Sequence, residues 1–241
     1  MRFLRLPGIH HDSAALVVED AGEAVVIDPG TSWYQVLIAA RVETLVGPIP
    51  RHIWLTHRHF EVAGAAKYLS ETWEATIHAH TSAESSLGIG ERLTTNARSF
   101  DSEMPIIEVE GCSGGDVFLV GDAEFEVLHL PGHTSCGIGL HIPSRRLLVS
   151  GGVIPSGDRL ARWDMPTGSL DELIDSLNVI RDLDLDILVP NMGESIEAED
   201  VGLVLNSHIE ILQGAKQAQG QRPDGWPTPT ATCSYLTPPT V

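Results

Sequence analysis

The chain has 241 residues, 42% of them hydrophobic, and a net charge of −18 from 33 acids against 15 lysines and arginines. That length can bury a sizeable core as a single domain over 1–241, and so acidic a surface, with no basic run, excludes a footprint for phosphate backbones. No run of about 18 apolar residues is present, so neither a membrane span nor a nucleic-acid partner is expected.

In chain order, strands are expected over 3–6, 14–19 and 24–28, then a helix over 32–45 whose apolar positions follow helical spacing. The N-terminus passes straight into the first strand without a leader pattern. A buried strand over 53–56 meets a helix over 62–71, followed by a strand over 75–78. The polar stretch 82–104 reads as short helices covering a site. Strands at 106–110, 117–120, 124–130, 137–142 and 146–150 come next. Ser169-Leu170-Asp171-Glu172 is a capping box that opens a helix with Leu173, Ile174, Leu177 and Ile180 on one face. A strand over 187–189 and a helix over 198–213 end the ordered pattern. The proline-rich tail from about 215 to 241 should be irregular. Cys112, Cys136 and Cys233 are odd in number and widely spaced, which argues for a reducing, cytoplasmic location rather than a disulfide framework.

The strand over 53–56 ends in Thr56-His57-Arg58-His59-Phe60-Glu61-Val62. Residues i and i+2 of an extended segment point to one side, so His57 and His59 can offer their imidazoles to one point. That geometry suits a metal with nitrogen ligands. A second strand exits through Leu130-Pro131-Gly132-His133-Thr134, and an earlier one through Ile27-Asp28-Pro29-Gly30.

These three strand-end motifs, in this order, resemble the metallo-β-lactamase superfamily over about residues 4–194. The resemblance implies an α+β fold, a four-layer αββα sandwich. In that family three histidines hold a first metal, and they match His57, His59 and His133. A strand-end aspartate, matched by Asp28, braces the metal loop. A second metal needs an Asp-His pair, a bridging aspartate and a last histidine. Here those four positions hold Glu61, Val62, Gly152 and Met192. The first set is whole and the second is lost.

The expected activity is therefore hydrolysis of a small carbonyl substrate (ester, thioester, lactone or amide) by one metal-bound hydroxide. Zinc is the expected ion. Iron and manganese rank behind it, because the family's mono-iron dioxygenases use the bridging aspartate that Gly152 replaces. Glu61 stands as the candidate proton carrier, weighed against a plain helix-terminus carboxylate. The alternative is a degenerate, non-catalytic member that binds a ligand or a partner chain. His10-His11-Asp12-Ser13 reads first as a polar turn, and His52, His78, His129 and His141 as packed or edge histidines. Cys136 is read as a core residue. A homo-oligomer is left open, as are the roles of Met192 and Glu194.

Overall fold

The computed structural model describes residues 1–224 and residue 226. The expected irregular tail from 227 onward, including Cys233 and the prolines at 227, 229, 238 and 239, lies outside the described residues. The first half forms β1 (Arg2–Leu6), β2 (Ala15–Asp20), β3 (Glu23–Ile27), α1 (Gln35–Leu45), β4 (His52–Trp54), α2 (Phe60–Ala63), α3 (Ala66–Trp73), β5 (Thr76–His80), α4 (Glu84–Gly88) and β6 (Glu110–Cys112). The second half forms β7 (Val117–Val120), β8 (Ala123–His129), β9 (Ile138–Ile142), β10 (Leu147–Gly151), α5 (Leu170–Arg181), β11 (Ile187–Pro190), β12 (Ile196–Glu197) and α6 (Ala198–Gln217). The strands make two six-stranded sheets, ordered β1-β2-β3-β4-β5-β6 and β12-β11-β10-β9-β8-β7. Each is mixed: β3-β4-β5-β6 and β10-β11 run parallel, and the other pairs antiparallel.

Alternation along the strands builds the layers. Val17, Val26, Ile53 and Ile77 face outward onto Ile38, Val42, Leu69 and Trp73 of α1 and α3. Their neighbours Leu16, Val18, Val25, Ile27 and Trp54 face inward, against Phe125, Val127, Leu140 and Val149 of the second sheet. The far side of that sheet carries Leu148 and Leu188 onto Leu173, Leu177, Leu205 and Leu212 of α5 and α6. Helix, sheet, sheet and helix thus stack as the expected four-layer αββα sandwich. No helix among the described residues is long and apolar enough to cross a membrane.

Local departures from expectation have backbone causes. The helix expected over 62–71 breaks into α2 and α3, because the Ala65 N–H donates to Gly30 O at 2.8 Å while Gly30 N–H donates to Val62 O at 3.1 Å. The strand expected at 106–110 begins only at Glu110, since Ile107 N–H is spent on Leu87 O at the end of α4. The last helix runs on to Gln217, carried by the buried Leu212 and Ala215 on its inner face. The cover over 82–104 holds α4 and short 3₁₀ turns.

Candidate metal centre

Parallel strands leave their C-terminal ends at one edge of the sandwich, and the expected site residues lie in the loops beyond them. His57 and His59 follow β4, Asp28 follows β3, Gly152 follows β10, and Asn191 follows β11. His133 enters from the loop after β8. Its approach depends on Gly132, whose φ of 128° and tight packing on Leu173 leave no room for a side chain: a Cβ there would lie 2.3 Å from Leu173 Cα.

His57, His59 and His133 meet edge to face, with ring centroids 4.8 to 5.1 Å apart. Glu61 joins them, so that one ligand atom from each of the four lies within 4.8 Å of all the others. His59 Nδ1 is 3.1 Å from His133 Nε2 and 3.4 Å from Glu61 Oε1. His57 Nε2, His59 Nε2 and Glu61 Oε2 are buried and have no hydrogen-bond partner within the protein. A buried polar atom left unpaired costs about 1–3 kcal/mol. The four side chains, each bringing one nitrogen or carboxylate ligand atom within 4.8 Å of the rest, fit a divalent cation.

The loop around them fixes which nitrogens are free. Asp28 accepts from Thr56 N–H at 2.7 Å and from Thr56 Oγ1 at 2.7 Å, the brace expected of it. With its proton given to Asp28, the Thr56 hydroxyl accepts from His57 Nδ1 at 3.1 Å, which leaves His57 Nε2 unprotonated and facing the site. His133 Nδ1 donates to Arg162 O at 2.8 Å, so its Nε2, 3.1 Å from His59 Nδ1, is likewise unprotonated. Burial, reinforced by the neighbouring imidazoles, holds His57 well below the ordinary histidine range and brings His133 down to about 4. Both are neutral imidazoles at pH 7, the form a metal requires of a histidine ligand. Burial works against ionisation of Glu61, yet the charge and hydrogen bond of His59 bring its carboxyl below the ordinary value.

Glu61 lies in the first turn of α2, with its carboxyl 3.4 Å from His59 Nδ1. Val62 is fully buried and packs in the outer core. Gly152 lies directly against the imidazoles, where a Cβ would come within 2.6 Å of His133 Cδ2 and 2.9 Å of His57 Cε1. Met192 lines the cavity above the centre. That cavity, about 690 Å³, has Glu61, His133 and Gly152 at its floor and Phe100, Leu160, Met192 and Ile211 among its walls.

Other sequence candidates fall as follows. His10 and His11 line the cavity, and His10 Nδ1 is 2.5 Å from Tyr34 Oη. Asp12 turns inward, 5% exposed, with Thr31 N–H donating to it at 3.3 Å. His52, His78, His129 and His141 all sit in strands, and His208 on α6 bonds Gly157 O at 3.2 Å. Glu194 lies 3.9 Å from Arg5. Cys112 and Cys136 are buried free thiols, with Cys136 in the outer core. Asn191, which with Glu194 flanks the loop where polar contacts of the second site could be replaced, is 4% exposed, lines the cavity and carries an unpaired buried Oδ1. Arg58, between the two histidines, carries no site signal in the sequence.

The pattern of the metallo-beta-lactamase superfamily matches residues 10–192, most of the chain. The chain belongs to this superfamily. An uncharacterized protein of Aquifex aeolicus is 34% identical over 71% of this chain and 78% of its own length. The hydroxyacylglutathione hydrolase GloC of Haemophilus influenzae is 29% identical over 68% of this chain and 76% of its own. A crystal structure described as a di-iron-bound form superposes with a TM-score of 0.70 at 27% identity, covering 83% of this chain and 96% of that one. Superfamily, relatives and the His-Glu cluster together support a metal-dependent hydrolase.

Proposed function

We propose that the chain hydrolyses a small carbonyl substrate, a thioester or ester first, with a single divalent ion held by His57, His59 and His133. The observation that carries this reading is the contrast between the two half-sites. The three imidazoles and Glu61 bring one ligand atom each within 4.8 Å of the others, while Gly152 carries no acid and a side chain there would press on His133 and His57. A zinc ion there would supply the positive charge that polarises a carbonyl and acidifies a water. The kinship to a hydroxyacylglutathione hydrolase favours thioesters.

The residues of this chain do the rest. The cavity is in the size range of small-molecule pockets, and Phe100, Leu160 and Ile211 offer a substrate apolar contacts beside the polar floor. Glu61 Oε1 rests against His59 while Oε2 is unbonded at the cavity floor, placed to take a proton from a water and return it to the leaving group. The Asp28-Thr56-His57 chain and the Arg162 carbonyl hold two imidazoles in one tautomer.

The test is a panel of thioesters, esters, lactones and amides run on zinc-, manganese- and iron-loaded protein, with His57→Ala and His133→Ala as controls. Turnover with zinc that disappears in both variants supports the proposal. A chain that binds one small molecule or protein tightly but turns over nothing in the panel would favour the non-catalytic alternative.

A further inference from the structure

The side chain of Arg58 points away from the imidazoles on either side of it, as alternation along an extended segment requires. It is 5% exposed. Its guanidinium spreads three donors over three acceptors: Nε to Cys136 Sγ at 3.0 Å, Nη2 to Ser135 Oγ at 2.7 Å, and Nη1 to Ser86 Oγ at 3.4 Å. Two of the three lie on the loop that carries His133, and the third lies on α4. A planar fork is suited to bridging fixed acceptors in this way. None of the three hydrogen-bonded partners is a carboxylate, so the fork makes no direct ion pair, although its charge reaches Glu91.

Those acceptors are themselves anchored. Ser135 N–H donates to Thr167 Oγ1 at 3.3 Å, and Ser135 O faces Ser82 Oγ at 3.3 Å and His129 Nε2 at 3.1 Å. Ser86 Oγ donates to Ala83 O at 3.1 Å, which leaves its lone pairs for the guanidinium. Thr134 Oγ1 contacts Cys136 Sγ at 3.4 Å. The loop of His57 and His59 is thus fastened, through one side chain, to a loop 77 residues further along the chain.

We propose that Arg58 is a positioning residue for the metal centre: it holds the loop of His57 and His59 against the loop of His133, so that the three nitrogens are in register before an ion arrives. This rests on the single-metal reading above. It extends that reading to a residue that touches neither metal nor substrate.

The experiment titrates zinc into the metal-free full-length chain against a competing chelator, with the melting temperature of each metal-free variant recorded beside it. Wild type should bind zinc, and His57→Ala should not. Arg58→Lys keeps the charge and loses the fork, and should weaken zinc binding about 10–100-fold. Ser135→Ala keeps the guanidinium and removes its shortest bond, and should weaken zinc about ten-fold. The two losses should be less than additive in the double variant, because both report one link. Arg58→Lys binding zinc as tightly as wild type would overturn the proposal. So would an affinity unchanged in the folded protein while the metal-free melting temperature falls, since that marks a purely structural role. If Arg58→Lys does not fold, Ser135→Ala decides alone, and unchanged zinc affinity in it refutes the link. Failure of wild type to bind zinc through His57 would sink the single-metal reading itself, a result distinct from these.

Discussion

Gly152 and His133 are packed so closely that a single methyl group on Gly152 would lie 2.6 Å from His133 Cδ2. The same Cβ would lie 2.9 Å from His57 Cε1. At the position where the superfamily resemblance calls for a bridging aspartate, a side chain would thus press on two rings of the three-histidine set unless they shifted.

Restoring the acid should accordingly do harm. Gly152→Asp should not create a second metal site. It should push His133 and His57 out of register and lower zinc affinity at least about 10-fold. Zinc titration and metal analysis of the purified variant check this, and a variant that binds two ions at wild-type affinity would refute the packing argument.

Glu61, with one oxygen against His59 and the other unbonded, is the proton carrier of the proposed reaction. Glu61→Gln should retain its metal and its melting temperature while turnover falls about 10²–10⁴-fold. If zinc content falls together with turnover, Glu61 is a ligand rather than a proton carrier. Wild-type turnover would remove it from the mechanism.

Asp12 gives a pH-dependent prediction. Burial, offset only partly by hydrogen bonds from Thr31, raises its carboxyl from 3.8 to about 7. The folded chain thus keeps this proton to higher pH than the unfolded chain. The stability it contributes is complete below about pH 4 and is lost as pH rises through 7, a swing of roughly 4 kcal/mol at most. Asp12→Asn cannot ionise, so its melting temperature relative to wild type should climb by several degrees between pH 4 and pH 8. A difference that stays flat over that interval would contradict the buried, unpaired placement of Asp12 Oδ2. The lowered value of His133 acts in the opposite sense, costing stability as pH falls from 6.5 toward 4, and it is common to both proteins.

What could be read from the sequence was whatever rests on local periodicity and strand exits. His57 and His59 at i and i+2 after an apolar strand, and His133 after Pro131-Gly132, announce one edge of a sheet, because strand direction and side-chain alternation are local properties. The buried face of α5 is visible for the same reason. Arg58 was passed over because its neighbours in sequence are histidines, while its partners, Ser86, Ser135 and Cys136, lie 28 to 78 residues away. Asn191 reads as a loop residue until β11 delivers it to the cavity wall. The closure around Gly152 could not be read at all, since a glycine carries no signal of which rings approach it. The break between α2 and α3 depended on a pair of backbone bonds to Gly30, invisible in helical periodicity.

The count of metal ions per folded chain tests the central claim most directly. Metal analysis of the full-length protein, purified without chelators and then saturated with zinc, should give about one ion per chain, and none in the His57→Ala, His133→Ala double variant. About two ions per chain, with the second surviving loss of His57 and His133, would contradict a centre built from His57, His59 and His133 alone.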